Sequence, residues 1–583
     1  MKKIIFILSL FFTSFSVYAQ IVINQVGYYP NERKQAVVVN GALNKDFRLV
    51  DAKTGKTVYE GKLSNPIQSK NSSLITRIAD FSDYTAPGTY KVVAGQFETP
   101  GTINIAENVY QKTAKDVLRG FYYQRVSMPL EEKYAGKWAR PSGHPDDKVV
   151  VHPSAATKKR PSGSIISSPG GWYDAGDYNK YIVNSGITMG TLMAAYEDFP
   201  DYFKSLSVNI PETGNGAPDL LNEITYNLRW MLTMQDPDDG GVYNKLTNAS
   251  FDGLNAKPGE TIAPRYVVQK GTTATLDFTA VMAQAARIYK EYNAIYPNLA
   301  DSCLKAAKKS WEWAIKNPSL EYDQDKMNKE HEPVVSTGGY GDRNFSDEWF
   351  WAASEMYITT KDKKYKKIID ANYSDIIQIP SWGNVYLLGA YSLIRFNIPE
   401  YRTKLQALII AKADEYVNAM GSSAFGVVMG KDKSDWVWGS SSVAANQGIL
   451  LVNAYLITKN AKYLNAAATN VDYLLGKNAT GYSFVTGSGY RPVMNIHHRP
   501  SVADNIVEPV PGLLSGGPNA TASLSDGISE KNPLGVYYEF TEPETTFADH
   551  IGSYASNEIA INWNAPAVYL FNAIEAEQKN LSF

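Results

Sequence analysis

The stretch Thr273–Tyr292, TATLDFTAVMAQAARIYKEY, decides the fold, because its apolar residues recur with the period of an amphipathic helix. Segments of the same kind follow one another from residue 108 onward. The predicted helices are Tyr110–Tyr123, Tyr181–Asp198, Asp219–Met234, Thr273–Tyr292, Leu299–Lys316, Asp347–Thr360, Trp382–Arg395, Thr403–Met420, Val443–Thr458 and Asn557–Ile574. About ten to twelve helices of this kind predict one large all-α domain, and the lack of a sequence repeat argues against a solenoid.

The region before these helices has a different pattern. Between residues 21 and 106, short apolar or alternating runs such as Gln35–Val39, Phe47–Val50 and Tyr90–Val93 are separated by turn residues. Strands at this spacing are typical of a small β-sandwich. The predicted domains are therefore a β-sandwich over residues 21–106 and a helical domain over residues 107–583.

The first 19 residues have the pattern of a secretory signal peptide. Lys2 and Lys3 precede an apolar run from Ile4 to Phe15, and small residues lead to a cleavage site near Ala19. The run is shorter than the roughly 20 apolar residues of a membrane span, and no cysteine lies near the cleavage site to carry a lipid. We expect a secreted or periplasmic protein without a membrane anchor.

Composition narrows the classes of function. The 583 residues are 44% hydrophobic and 20% charged, which is typical of a globular protein. A net charge of -2 gives no basic excess for binding nucleic acid. The single cysteine, Cys303, excludes disulfide frameworks and zinc ribbons. Aromatic residues reach 12%, and such amphipathic rings suit partners that are both flat and polar, of which sugars are one kind.

Three clusters carry residues suited to chemistry. The first, Gly170–Tyr181, holds Asp174 and Asp177 in a glycine-rich turn before a helix. Two carboxylates that share a cavity can keep one of them as a base beside a water molecule. A helix cap together with a turn or calcium-binding aspartate explains the same spacing, so spacing alone leaves both interpretations open.

The second and third clusters lie near the end of the chain. His497 and Arg499 stand in a proline-flanked loop and can donate hydrogen bonds to hydroxyl groups; a zinc site there lacks a third ligand at metal-like spacing. Glu558 follows Asp549 and Tyr554 in an aromatic stretch, where burial would raise the carboxyl pKa as a general acid requires. The alternative for Glu558 is a glutamate favoured by the start of a helix.

Together, the three clusters resemble those of glycoside hydrolase family 9, inverting β-glucanases that include many cellulases. The resemblance covers nearly all of the chain after the signal peptide. The stretch Ile23–Tyr28 is similar to the start of the immunoglobulin-like domain that often precedes this catalytic module. Further similar stretches are Trp438–Ser440, Asp472–Gly476, Pro511–Asn519 and the C-terminal signature Phe547–Ala565.

The resemblance implies a fold and an activity. The fold is mainly α, an (α/α)6 barrel preceded by a small immunoglobulin-like β-sandwich. Asp177 is then the general base, Asp174 helps to hold the attacking water, and Glu558 is the general acid. His497 and Arg499 match the pair that binds the sugar, and Asp549 matches a supporting carboxylate in the substrate site. Inversion needs two carboxyl groups about 6.5–9.5 Å apart, so the pair must come from distant parts of the chain.

Aromatic rings are expected to line the substrate groove. The candidates are Trp172, Trp382, Trp436, Trp438, Tyr554 and Trp563. Trp172 and Trp438 lie in predicted loops, where a ring is free to stack on a sugar, whereas a tryptophan at helical spacing more often belongs to the core.

The metal prediction is open. Many members of the family hold calcium at a Ser-Gly-x-x-Asp-Glu stretch, and here Asp347 and Glu348 keep the acidic pair while Arg343 and Asn344 replace Ser-Gly. Hard cations prefer such oxygen ligands, but Arg343 could neutralise the acids instead. No cofactor is required for the chemistry.

The sequence thus predicts an inverting endo-β-1,4-glucanase, a monomer acting on a β-glucan polysaccharide or oligosaccharide. One alternative is a xyloglucan-specific endo-β-1,4-glucanase, or an exo-acting enzyme on cello-oligosaccharides. These enzymes would share the catalytic residues and differ in the loops at the ends of the groove. A more remote alternative is a catalytically inactive β-glucan-binding protein.

Overall fold

A computed structural model describes residues 20–41 and 45–582. The predicted signal peptide, residues 1–19, lies outside the described residues. Across the described ranges, no helix is both long enough and apolar enough to cross a membrane.

The N-terminal region is a β-sandwich, as predicted. Its strands are β1 (Gln20–Ile23), β2 (Gly27–Tyr28), β3 (Gln35–Val39), β4 (Asp46–Asp51), β5 (Thr57–Lys62), β6 (Ile67–Gln68), β7 (Ile75–Asp80), β8 (Gly88–Ala94), β9 (Phe97–Glu98) and β10 (Ile103–Ile105). One sheet has the order β1-β3-β7-β6; the other has the order β2-β10-β8-β4-β5, with β9 beside β8. Strand β4 alternates as a half-buried strand should: Phe47 and Leu49 are buried in the sandwich core, and Arg48 is exposed.

The rest of the described chain is mainly helical. Its helices are α1 (Gln111–Tyr123), α2 (Glu132–Ala135), α3 (Ile182–Asp198), α4 (Pro200–Ser205), α5 (Asp219–Thr233), α6 (Thr272–Tyr289), α7 (Leu299–Lys316), α8 (Gln324–Glu330), α9 (Ser346–Thr360), α10 (Lys364–Ala371), α11 (Tyr386–Arg395), α12 (Pro399–Met420), α13 (Ser440–Thr458), α14 (Ala461–Leu474), α15 (Arg499–Ala503), α16 (Ala522–Ser525), α17 (Tyr554–Asn557) and α18 (Ile561–Glu577). Of the predicted helices, α11 and α18 each begin four residues later than predicted, and α12 begins four residues earlier.

The longer helices alternate between an inner and an outer ring. The inner helices α3, α6, α9, α11, α13 and α18 are buried on nearly all sides; α18 packs on α3, α3 on α6, α6 on α9 and α9 on α11. The outer helices are α1, α5, α7, α10, α12 and α14. Of these, α7, α10 and α12 bury the smallest share of their residues, and α12 buries one stripe that includes Tyr401, Leu405, Ile409 and Ala413. This alternation is that of an (α/α)6 barrel.

Two outer helices, α10 and α14, were not predicted. Helix α10 has only eight residues. Helix α14 carries small and polar residues, such as those of Ala466–Asn470, at buried positions, which weakens its apolar pattern.

A small sheet at the barrel corrects the prediction of an all-α domain. Its strands are β11 (Val149–Val151), β12 (Ile165–Ile166), β13 (Lys180–Tyr181), β14 (Lys245–Asn248) and β15 (Arg265–Val267), in the order β12-β11-β15-β14-β13. Strands of two to four residues are too short to show a period in sequence. The sheet matters for function because β13 directly follows the Asp174–Asp177 turn.

The sandwich is joined to the barrel by buried polar contacts. Asn24 donates from Nδ2 to Asp472 Oδ1 at 2.8 Å, next to the start of the sandwich. At the other end of the interface, Ser69 Oγ donates to Glu544 Oε1 at 2.5 Å and Asn71 Nδ2 donates to the Gly430 carbonyl at 2.8 Å. These hydrogen bonds therefore fix which residues of the sandwich face which residues of the barrel.

Candidate active site

The three predicted carboxylates come together although two of them lie almost four hundred residues from the third. The backbone N–H of Ile561, at the start of α18, donates to the Asp174 carbonyl at 2.8 Å. The backbone N–H of Gly176 donates to Glu558 Oε1 at 3.3 Å. The turn that holds Asp174 and Asp177 is thus pinned against the segment that holds Glu558.

Asp174 is buried and held by donors from two elements. Asn184 on α3 donates from Nδ2 to both carboxylate oxygens at 3.0 and 2.9 Å. The Tyr340 hydroxyl donates to Oδ2 at 3.1 Å. Burial, followed by the charge of Asp177, raises the pKa of Asp174 well above its usual range, and the two donors oppose this rise.

Asp177 has more groups that favour its charged form. Its Oδ2 accepts from Asn179 Nδ2 at 2.6 Å and from the Tyr181 hydroxyl at 2.9 Å. Burial raises the pKa of Asp177, while these donors and the charges of Arg499 and Arg265 lower it. The pKa of Asp177 is still raised overall, but less than that of Glu558, so Asp177 is the carboxyl of this pair that loses its proton more readily.

A buried lysine holds the loop that supplies Tyr340. Lys245 pairs with Tyr181 between β14 and β13, and its ammonium donates to the Gly338 carbonyl at 2.6 Å. The backbone N–H of Gly338 donates to the Tyr181 hydroxyl at 3.2 Å. Gly338 is thus fixed from both sides. Burial lowers the pKa of Lys245 to about 7.

Glu558 lies between α17 and α18, not at the start of a helix as predicted. Its backbone is extended, and its carbonyl accepts from the Gly516 N–H at 2.8 Å. The preceding Asn557 carbonyl accepts from the His497 N–H at 2.9 Å. The helix-start explanation of this residue therefore fails, because its position is set by pairing with two distant loops.

The environment of Glu558 favours the protonated carboxyl. Its side chain is only partly exposed. Burial, followed by the charge of Asp177, raises the pKa of Glu558 well above its usual range, and the Gly176 N–H and Arg499 lower it. Unlike Asp177, it has no side-chain donor among the described residues.

His497 lies beside Glu558 and is neutral. Its Nδ1 donates to the Ile551 carbonyl at 2.6 Å, because a carbonyl can only accept, and this leaves Nε2 as an acceptor. Burial lowers the pKa of His497 to about 4. The neighbouring His498 is instead fully buried and bonded to Gln124 and Ser501, so the adjacent histidines have different roles.

Arg499 and Asp549 both form hydrogen bonds with the backbone of loops around the site. Arg499 donates from Nη1 to the Gly176 carbonyl at 2.8 Å and from Nε to the Asp252 carbonyl at 2.9 Å. Asp549 accepts from the backbone N–H groups of Met494 and Asn495 and from Asn557 Nδ2 at 3.0 Å. These contacts give Asp549 a supporting position behind the loop of His497, and direct contact of either side chain with a sugar stays a prediction.

The predicted aromatic platforms divide into two groups. Trp438 is 45% exposed, and its ring lies 5.6 Å from that of Tyr554, which in turn lies 6.0 Å from the His497 ring. Trp172 is fully buried, packs on Phe121 and donates from Nε1 to Glu223, so its prediction as a platform is wrong. A loop position did not imply exposure because this loop is packed against α5.

The other three rings were weaker candidates. Trp382 is partly exposed and lies 5.4 Å from the Tyr340 ring. Trp436 is buried. Trp563 is partly exposed and lies beneath Gly439, where any side chain would meet its ring.

The predicted metal ligands are buried acids with incomplete bonding. Asp347 accepts from the Val385 N–H at 2.8 Å, whereas both carboxylate oxygens of Glu348 and of Asp277 lack a hydrogen-bond partner. Arg343 is exposed and pairs with Glu321, so it does not neutralise these acids. Free oxygens suit a hard cation, yet within the described ranges no three His, Cys, Asp or Glu side chains converge as a metal site requires. The fit to calcium is therefore partial.

Sequence analysis missed several residues that touch the carboxylates. Tyr340 bonds to Asp174 from 166 positions away in the chain. Asn184 and Tyr181 lie closer in sequence, but the sequence did not show that their side chains point toward the carboxylates. The glycines Gly338, Gly339 and Gly341 around Tyr340 were the available signal, since such loops often allow close approach at a site.

The arrangement is suited to acid–base hydrolysis. Asp177, which has several groups that favour its charge, and Glu558, whose surroundings favour the protonated form, are presented from separate elements beside exposed rings. Such a pair can activate water on one side of a bond and protonate the leaving oxygen on the other.

Comparison with known proteins agrees with this geometry. The family profile of glycosyl hydrolase family 9 matches residues 110–571, and that of the cellulase N-terminal ig-like domain matches residues 16–99. A xyloglucan-specific endo-beta-1,4-glucanase of Bacteroides ovatus is 43% identical over 95% of this chain and 93% of its own length. Endoglucanase D of Acetivibrio thermocellus is 32% identical over 94% of this chain and 82% of its own.

Solved structures give the same result. A Bacteroides ovatus structure described as GH9 superposes with a TM-score of 0.89 at 42% identity, covering 95% of this chain and 98% of that one. A thermostable endoglucanase of Alicyclobacillus acidocaldarius reaches a TM-score of 0.83 at 30% identity, with 96% and 100% covered. Both the helical barrel and the sandwich before it are thus shared, and the chain belongs to glycosyl hydrolase family 9.

Proposed function

We propose that the protein is an inverting endo-β-1,4-glucanase in which Asp177 is the general base and Glu558 the general acid. The observation that carries this proposal is the convergence of these two carboxyls, of which Asp177 has side-chain donors and Glu558 has none among the described residues. Burial raises the pKa of both carboxyls, but four groups oppose the rise at Asp177, whereas the charge of Asp177 adds to the rise at Glu558.

The proposed reaction is a single displacement. Water bound between Asp174 and Asp177 attacks the anomeric carbon and gives its proton to Asp177, while the bond to the leaving oxygen breaks and Glu558 protonates that oxygen. Asn184 and Tyr340 orient Asp174, so that its carboxylate holds the water in line. Proton exchange with solvent then restores both groups.

Within this class we propose xyloglucan as the preferred substrate. The relative named for that substrate is 43% identical over nearly the whole chain, whereas the endoglucanase and cellodextrinase relatives are 32% and 30% identical. The exposure of Trp438 supports an open groove that leaves space for side-chain sugars.

The test compares two substrates with one blank. The mature protein and a Glu558→Gln variant are incubated with xyloglucan and with cellohexaose, and the products are sized over time. We expect large xyloglucan oligosaccharides, little change in cellohexaose, and at most traces of product from the variant. Rapid release of short cello-oligosaccharides would make the enzyme a general cellulase, and unchanged substrates with intact binding would make it an inactive binding protein.

We also propose that Asp347 and Glu348 hold a structural calcium ion together with neighbouring oxygens. The free oxygens of Glu348 support this, and the ion would offset the repulsion among the buried acids. Removal of calcium by a chelator should then lower the melting temperature, and added calcium but not magnesium should restore it. An unchanged melting temperature would contradict the proposal.

The remaining assignments concern the state of the protein in the cell. We propose a monomer, exported to the periplasm or beyond after loss of residues 1–19, with domains at 21–106 and 107–583. The separate hydrophobic core of the sandwich supports this division.

A further inference from the structure

We propose that residues 522–540, here called the rim loop, form a second binding surface for the polysaccharide outside the cleavage site. The inference rests on the proposed function and extends it to polymeric substrate. The rim loop concentrates exposed apolar side chains: Leu524, Ile528, Leu534, Tyr537 and Phe540 are 86%, 57%, 96%, 76% and 45% exposed. Where exposed apolar side chains gather on a soluble protein, they often mark an interaction site.

The rim loop is a built element with two faces. Its arms are joined by backbone bonds between Ile528 and Val536 at 3.0 Å and between Val536 and Asp526 at 2.8 Å. Val536 and Tyr538 point inward into a small core with Ala522 and Ala555. Tyr537, between them, points outward, so its exposure follows from the alternation of an extended segment.

The inner face of the rim loop supports the acid side of the groove. Asp526 Oδ2 accepts from the Ala555 N–H at 2.8 Å, on the short helix that leads to Glu558. The Tyr554 hydroxyl donates to the Ser525 carbonyl at 2.7 Å, while its ring contacts Trp438 and lies near His497. The rim loop is therefore attached to the groove wall through Tyr554.

The chemistry of the outer face fits a glucan. Sugar rings present C–H groups on their flat faces, which pack on aromatic rings, and hydroxyl groups at their edges, which suit a phenol such as that of Tyr537. An endo-acting enzyme holds a chain that continues past both ends of its groove. We assign the outer face to that continuing chain rather than to a second copy of the protein.

The test separates polymer from oligosaccharide. Tyr537→Ala and the pair Leu534→Ala with Tyr537→Ala are compared with Ile315→Ala, which removes a half-exposed side chain from the outer helix α7. We expect kcat/KM on polymeric xyloglucan to fall about tenfold through KM, equivalent to about 1.4 kcal/mol. On a two-repeat xyloglucan oligosaccharide, kcat/KM should change less than about twofold, and Ile315→Ala should change neither value.

Several results would overturn the proposal. Equal losses on polymer and oligosaccharide would mean that the loop only supports the groove, and no loss on either would mean that the face binds no glucan. A dimer in sedimentation that the variants dissociate would assign the face to a second copy. Melting temperatures establish that the variants are folded.

A binding assay distinguishes failure of this inference from failure of the proposed function. If the wild-type protein cleaves neither substrate, affinity electrophoresis in xyloglucan gels still compares the wild type with Tyr537→Ala. Weaker retardation of the variant supports the rim loop as a binding surface, and equal retardation contradicts it.

Discussion

The two sides of the groove are built in different ways. On the base side, Asp174 and Asp177 are buried and each accepts hydrogen bonds from two side chains. On the acid side, Glu558 is partly exposed and receives one bond, from the Gly176 backbone, and the rings beside it are open to solvent.

This difference assigns separate tasks to the two sides. The base must hold a water molecule in one orientation, and a dense set of donors fixes its carboxylate at little cost in entropy when substrate binds. The acid must protonate an oxygen that belongs to the substrate, so its side remains open to the chain. Variation in substrate preference should therefore concentrate in the loops around Glu558, such as the rim loop.

The largest expected effect is the loss of kcat when either carboxylate is removed. The leaving group of the substrate then shows which carboxylate is the acid. On a natural glucan, Asp177→Asn and Glu558→Gln should each lower kcat by about 10²–10⁴-fold. On an aryl β-cellobioside with a strongly acidic phenol as leaving group, Glu558→Gln should recover most of the loss, because that phenolate departs without a proton. Asp177→Asn should remain as impaired as on the glucan, since water must still be activated.

The assignment of acid and base is contradicted if the wrong variant recovers its kcat on the aryl β-cellobioside. Recovery by Asp177→Asn, or by neither variant, would mean that the acid and base are assigned wrongly. Glu107→Gln, which changes an exposed carboxylate ahead of α1, is the matched control and should be as active as the wild type on both substrates.

The sequence predicted all three carboxylates as site residues, but it predicted the local structure around Glu558 less well than that around Asp174 and Asp177. The turn that holds Asp174 and Asp177 was identified as a motif, because paired acids among glycines are visible in a short window. Glu558 was predicted as the acid but placed at the start of a helix, whereas its position depends on backbone pairing with Gly516 and with the loop of His497. Such long-range pairing leaves no local pattern to detect.

The fold divides in a similar way. The long inner helices and the strands of the sandwich have a period that the sequence displays, whereas the two-residue strand β13 does not. Its pairing with β14 places Lys245 beside Tyr181 and so fixes the loop that delivers Tyr340. The prediction for Trp172 was also wrong. Its position in a loop suggested an exposed ring, but the indole is buried and donates to Glu223.

A smaller effect is expected from a substitution that changes the pKa of the base and leaves that of the acid unchanged. The Tyr181 hydroxyl donates to the charged form of Asp177 and thereby lowers the pKa of that carboxyl. Tyr181→Phe should therefore raise the apparent pKa of the base further. Because the base must be ionised, the acidic limb of the kcat/KM profile should move to higher pH.

The alkaline limb distinguishes this mechanism from a general disturbance. That limb reports loss of the proton from Glu558, which has no contact with Tyr181, so it should stay in place. Tyr178→Phe is the matched control, because the Tyr178 hydroxyl donates to the Ala256 carbonyl and not to a carboxylate. It should leave both limbs unchanged. Movement of the alkaline limb in Tyr181→Phe would mean that the two carboxyls titrate as one coupled pair, and the division into a fixed base side and an open acid side would then be lost.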